Sequence, residues 1–282
     1  MNVLARKVTV FIIGCAFIIN TCGCATPYMA HPEFKERHKA IRSASIMPPE
    51  VDAYVLTFKG DKKRLHELVP IMEKTTFEEI EKALTSKGYE IKKLDLSEPV
   101  LKANPNLRTS LFNVRKLFVK SLEDIAKRKE KKFTYSLGPE VNVFADLTNS
   151  DILVFVKEEG VKKSSGEVAK DVAKGAVLSA ACLLIGVIYV PIPQTCATIV
   201  HIAAVDSNDG AILWYINNSY NVNWNPENQN QMARLVKSLI NYFPDSAFKE
   251  KKKKGTTQKI AGEIKEQKLV VPVATDPLAV QH

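Results

Sequence analysis

The sequence predicts an α/β protein, a mixed sheet packed by helices, forming a single domain over residues 45–245. Three observations predict it. "DILVFVKEEGV" (151–161) is a dense β-branched run of the kind carried by a strand buried on both faces. "TCATIVHIAAVDSNDGAILWYINNSY" (195–220) holds two apolar runs split by Asp206-Ser207-Asn208-Asp209-Gly210, and Gly after Asp signals a hairpin. Three other stretches repeat apolar residues at helical spacing, and helices alternating with strands point to a sheet covered by helices.

In chain order, "SASIMPPEVDAYVLTF" (43–58) carries apolar residues on both sides of a Pro-Pro pair, which predicts a first strand with a break. Leu65, Leu68, Val69, Met72, Ile80, Ala83 and Leu84 recur at helical spacing, with Gly88 where a glycine ends a helix. Pro70 marks either the start of that helix or a kink in it. "YEIKKLDL" (89–96) reads as a strand. From Ser110 to Lys129 a second helix aligns Leu111, Val114, Leu117, Phe118, Leu122 and Ile125, and its Lys- and Arg-rich side reads as a solvated face. After the strand at 151–161 and the hairpin comes "ENQNQMARLVKSLINYF" (227–243), a last helix stopped by Pro244.

The N-terminus follows another logic. Arg6 and Lys7 precede an almost wholly apolar run, Val8 to Ile19, about half the roughly 20 residues that a membrane span needs. That is the form of a signal peptide. The small residues before Cys24 resemble the lipobox of bacterial lipoproteins, in which the thiol is diacylated and becomes the first residue after cleavage. Residues 1–23 are then the leader, the cut falls between Gly23 and Cys24, and residues 24–44 form a tether. Thr21 stands where Leu is usual, and Ala25 after the cysteine resembles the sorting signal for the outer membrane.

The net charge of +9 is unevenly spread. Arg6 and Lys7 fall in the leader and eight Lys against four acids lie in 246–282, so the body keeps about +3, which is no nucleic-acid footprint. The tail 246–282 reads as basic and disordered. With Cys24 acylated and Cys15 and Cys22 removed, Cys182 and Cys196 remain in an oxidising compartment, where they form either a disulfide or two buried thiols.

Gly175 to Ile192 is a run without charge. Three readings stand for it: an element of the core or an oligomer interface, a segment meeting the outer-membrane bilayer, or a membrane span that would split the sheet. Val177, Leu178, Leu183, Leu184, Ile185, Val187, Ile188 and Tyr189 are its candidate membrane or partner contacts.

The search for catalytic chemistry finds no paired His around a Glu, no nucleophile elbow, and no Gly-rich phosphate loop, so neither an enzyme nor a cofactor or metal is expected. Glu158 and Glu159 read as solvated at a strand end. His201, inside an apolar strand, reads as a hydrogen-bonded structural histidine. Trp214, Tyr215, Tyr220 and Trp224 read as core and cross-strand packing.

The lipobox, "SIMPPEVDAY", the apolar mid-domain run and "HIAAVDSNDGAILW" before an amphipathic helix together resemble a group of bacterial outer-membrane lipoproteins. Their domain is similar to the TolB N-terminal domain and to the periplasmic domain of the curli-secretion lipoprotein. The resemblance covers residues 20 to 245 and transfers no catalytic residues. It implies a lipid-anchored protein facing the periplasm, with envelope proteins or further copies of itself as partners. Its role would be binding or assembly, or participation in an oligomeric export channel.

Overall fold

The computed structural model describes residues 28–56, 62–127, 132–164, 196–219 and 221–249. The leader with Gly23 and Cys24, the charge-free run 175–192 with Cys182, and the chain beyond Lys249 lie outside the described residues. The strands are β1 (Tyr28–Ala30), β2 (Ser43–Ile46), β3 (Glu50–Leu56), β4 (Lys62–Arg64), β5 (Glu90–Ile91), β6 (Ile152–Lys163), β7 (Cys196–Asp206) and β8 (Ile212–Asn217). The helices are α1 (Phe34–Arg37), α2 (Val69–Ser86), α3 (Glu98–Ala103), α4 (Pro105–Ala126), α5 (Asn142–Thr148) and α6 (Gln229–Ile240). The fold is mixed α/β, and all eight strands join one mixed sheet of order β1-β8-β7-β6-β2-β5, with β3 and β4 beside the second half of β6.

The spine is the antiparallel pair β6 and β7, in register from Ile152↔Asp206 to Lys162↔Cys196. Alternation along β6 sends Ile152, Val154 and Val156 to one face, where Ile80 and Leu84 of α2 and Leu235 and Leu239 of α6 bury them. Leu153 and Phe155 face the other way, against Leu111, Val114, Phe118 and Leu122 of α4 and Phe144 of α5. A strand packed on both faces needs apolar residues at consecutive positions, which accounts for the unbroken run at its start.

The other side of β6 is served by two short strands in line. β2 runs parallel to it from Ala44↔Ile152 to Ile46↔Val154, and β3 from Glu50↔Lys157 to Leu56↔Lys163. Between them Met47-Pro48-Pro49 opposes only Phe155-Val156, one residue too many, so the edge bulges. Neither proline has an N–H to donate, and an edge position is where that loss costs least. The Met47 N–H still reaches the Val154 carbonyl at 2.9 Å. The predicted break in the first strand is this bulge.

Helix ends follow local chemistry. Pro70 sits in the first turn of α2, where no N–H is needed, so the helix starts there and is not kinked. Gly88 follows its C-terminus at φ +88°. Asn104 caps α4 by accepting the Leu107 N–H, and Asn228 caps α6 by accepting the Gln231 N–H, contacts worth about 1 kcal/mol each.

The tether expected over 24–44 is corrected for its described part, which belongs to the domain. β1 pairs antiparallel with β8, from Tyr28↔Ile216 to Ala30↔Trp214. Phe34 of α1 is buried 6.1 Å from the Phe243 ring, and β2 already begins at Ser43. The anchors Tyr28, Phe34 and Ile41 are spaced irregularly among charges, so they show no period. At the far end Ser246 is buried with its N–H on the Lys87 carbonyl, and the Arg42 guanidinium lies 4.1 Å over the Phe248 ring, so the fold continues past 245.

The hairpin turn between β7 and β8 is tightly tied. Gly210 has φ +72° and its N–H reaches the Asp206 carbonyl at 3.0 Å. Arg37 Nη1 donates to Asp206 (3.2 Å) and Asp209 (2.7 Å). The loop carrying Tyr135 and Leu137 bonds to the same turn, and a Cβ on Gly210 would stand 2.1 Å from the Gly138 carbonyl oxygen. Gly210→Ala therefore combines left-handed backbone strain with a clash, and is expected to cost about 3 kcal/mol or more. A urea midpoint equal to that of the parent protein would contradict this account of the turn.

Candidate functional site

In β3 the sequence Glu50-Val51-Asp52 and in β6 Lys157-Glu158-Glu159 alternate polar positions across the sheet. Their register, Glu50↔Lys157 and Asp52↔Glu159, sets four charged groups on the face that α4 covers farther along. Lys157 Nζ donates to Glu50 Oε1 at 2.8 Å and to Asp52 Oδ2 at 2.7 Å. Arg64 from β4 reaches Asp52 at 3.0 Å, and Lys62 stands 4.0 Å from Glu159. Burial works against the Lys157 charge, but its hydrogen bonds to Asp52 and Glu50 outweigh it and hold the ammonium above its ordinary range. Burial also raises Glu159, against the pull of Lys62 and Lys157.

One strand over, His201 is the cross-strand neighbour of Lys157. Its Nδ1 lies 2.7 Å from the Tyr215 hydroxyl, to which Asn217 Nδ2 donates at 2.6 Å. Burial first, and the Lys157 charge second, push His201 down to about 4, so the imidazole is neutral at ordinary pH. Burial raises the Tyr215 hydroxyl. This is a charge-compensated network with a neutral hydrogen-bonded histidine beside it. Removing one member of a buried ion pair typically costs about 3–5 kcal/mol, because the other charge is stranded. A slip of one residue would move Lys157 off both carboxylates, so the network favours the observed register.

Glu158 points to the opposite face and corrects the expectation of solvation. It is fully buried, with Oε2 accepting from Thr76 Oγ1 of α2 at 2.8 Å and Oε1 without a hydrogen-bond partner. Burial pushes it up to about 8, with Glu73 adding to the rise and Thr76 opposing it. The strand does not end here: β6 continues to Lys163 with β3 and β7 on its flanks, so Glu158 is fully buried and Glu159 nearly so. Cross-strand context of that kind leaves no mark in a single stretch of sequence. The pair "EE" inside a long β-branched run was the only signal.

A groove of about 890 Å³ runs beside α4, lined among the described residues by Phe112, Asn113, Arg115, Lys116, Leu117, Val119, Lys120 and Glu123 of that helix, with Glu50 and Glu140. Phe112 is 68% exposed there. The helix side read as solvated thus carries an exposed aromatic ring, its cations Arg115, Lys116 and Lys120 are matched in the groove by Glu50, Glu123 and Glu140, and Glu50 links it to the Lys157 network.

Asn218 closes the sheet where β8 leaves. Its Oδ1 accepts the Val200 N–H at 2.7 Å, and its Nδ2 donates to the Thr198 and Asn221 carbonyls at 2.8 Å. A side-chain amide here stands in for a missing strand residue. Trp214 is fully buried and Tyr215 nearly so, on opposite faces, as packing residues; Trp224 is partly buried and Tyr220 lies outside the described residues.

Of the residues singled out in the sequence, Cys196 opens β7, half-buried and opposite Lys162. Cys24, Gly23, Cys182 and the contacts proposed between Val177 and Tyr189 lie outside the described residues. Among the described residues no helix is long and apolar enough to cross a membrane, and no three His, Cys, Asp or Glu side chains are grouped to hold a metal ion. Neither a family model, nor a curated protein, nor a solved structure matches the chain.

Glu158 supplies a pH test. Its carboxyl is raised from 4.5 to about 8, so its contribution to stability is complete below 4.5 and is lost as pH rises through 8. Glu158→Gln keeps the acceptor for Thr76 and removes the charge. The variant is expected to match the parent near pH 4.5 and to exceed it by a few kcal/mol, roughly, at pH 9. Parallel stability curves across that range, measured by chemical denaturation, would contradict the burial of this group.

Proposed function

We propose that the chain is an envelope lipoprotein, anchored in the outer membrane through a lipid on Cys24 and facing the periplasm, that acts as a non-catalytic binding or assembly factor. The observation that carries this reading is that Tyr28, the first described residue, already pairs with Ile216 in the sheet. Only Ala25, Thr26 and Pro27 separate the lipobox cysteine from a strand hydrogen-bonded into the sheet. An acyl chain on Cys24 would hold the domain against the bilayer, where a long tether would let it roam. The groove beside α4, with exposed Phe112 among Arg115, Lys116, Lys120 and the carboxylates of Glu50, Glu123 and Glu140, supports a binding role. Aromatic and arginine side chains together are the usual anchors of protein interfaces.

A second reading draws on the spine. β6 and β7 stay paired to Lys162↔Cys196 and then leave the described residues on either side of the apolar run 175–192. A long antiparallel pair with an uncharged segment between its strands in sequence is compatible with an export-channel component that oligomerises and meets the membrane through that segment. Protein that stays monomeric in detergent and gives no conductance in planar bilayers counts against it.

Growth with radioactive palmitate tests the anchor. The parent chain is expected to incorporate label and Cys24→Ala to lose it; no incorporation, or equal incorporation in both, overturns the reading.

A further inference from the structure

We propose that the charged cluster carried by β3, β4, β6 and β7 is a binding site for a small zwitterion of the α-amino-acid class, with Lys62 holding its carboxylate and Glu159 its ammonium. The inference rests on the binding role given above and adds to it a site and a ligand chemistry.

Unmet hydrogen-bonding capacity is the first ground. Among the described residues, eight buried side-chain polar atoms have no hydrogen-bond partner. Four of them, Glu50 Oε2, Lys62 Nζ, Glu159 Oε1 and His201 Nε2, belong to this one patch. Register sets Glu50, Lys157 and His201 in one row and Asp52 with Glu159 in the next, and Lys62, opposite Leu56, shares their face. A buried polar atom left unpaired is costly, so four in one patch mark a place suited to polar groups from outside the chain.

The second ground is what those atoms can bond. The Lys62 ammonium is a donor, and the two carboxylate oxygens are acceptors. For His201 a chain of hydrogen bonds decides. Asn217 Oδ1 accepts the Ser219 N–H at 3.0 Å, so its Nδ2 faces Tyr215 and donates to the hydroxyl at 2.6 Å. That buried hydroxyl has no other acceptor among the described residues, so it gives its hydrogen to His201 Nδ1 at 2.7 Å. The neutral imidazole then carries its proton on Nε2, a donor without an acceptor. The patch thus offers two donors and two acceptors. Its charges balance as well, Lys62, Arg64 and Lys157 against Glu50, Asp52 and Glu159, which favours a ligand without net charge.

Lys62 Nζ and Glu159 Oε1 lie 4.0 Å apart, too far to bond one another. The carboxylate and ammonium of an amino acid lie side by side and bridge such a gap, one accepting from Lys62 and the other donating to Glu159. His201 Nε2–H and Glu50 Oε2, on either side of Lys157, remain for polar groups of the ligand's side chain. The Lys157 and Glu159 side chains are only 9% exposed, but Lys62 is 25% and Glu50 31% exposed, so the cluster opens to solvent along β3 and β4. Glu50 also lines the groove beside α4.

The test titrates the full chain with L-glutamine, whose side-chain amide offers a donor and an acceptor, and follows the His201 Nε2–H resonance. A saturable shift is expected; an unmoved resonance at millimolar glutamine overturns the site. Propionate and glycine betaine, which lack the ammonium or its N–H groups, are expected to bind about tenfold or more weakly. Either one binding as well as glutamine overturns the zwitterion assignment. Lys62→Met and Glu159→Gln are each expected to weaken glutamine by a similar factor, and parent-like affinity in either overturns that residue's role. The resonance is read on the unsubstituted chain, so a variant that fails to fold leaves the site testable. Mass analysis of the N-terminal peptide of the same preparation reads acylation separately. A missing acyl group on Cys24 removes the anchor reading and leaves this site, whereas an acylated chain without a glutamine response removes only the site.

Discussion

The antiparallel ladder between β6 and β7 is the constraint on which the rest of the structure depends. Every other sheet strand is placed by reference to it: β8 and then β1 on one side, β2, β3, β4 and β5 on the other. Because both strands are interior, each of their side chains must suit one of two packed faces. Apolar positions such as Val154 and Phe155 do so by burial, each worth about 1.5–3 kcal/mol. The polar run Lys157-Glu158-Glu159 does so by three different means: a double ion pair, a raised pKa with one hydroxyl donor, and a partly compensated carboxylate.

That interior position also separates what was legible in the sequence from what was not. The period of apolar residues disclosed α2, α4 and α6, because each buries one stripe and wets the other. The hairpin was legible from Asp209-Gly210, and the close approach of Gly138 explains why only glycine serves there. The bulge was legible as Pro48-Pro49. By contrast β1 and α1 rest on Tyr28 and Phe34 meeting residues about two hundred positions away, and no local period records such a contact. The short helices α3 and α5 were missed for the related reason that six or seven residues carry too few turns to show one.

The charged cluster was hidden for another reason. Glu50 and Asp52 are over a hundred residues from Lys157, so neither the partner nor the burial of Glu158 and Glu159 can be read from the stretch that holds them. The exposed ring of Phe112 was obscured in the opposite way, because a basic helix face normally signals solvent.

Native-state hydrogen exchange tests the central role of the ladder most directly. The account predicts that amides of Val154–Val161 and Ala197–Val205 exchange slowest, with the free energy of global unfolding, while β1 and β5 open locally and faster. Amides of β6 exchanging as fast as those of β1 would contradict it.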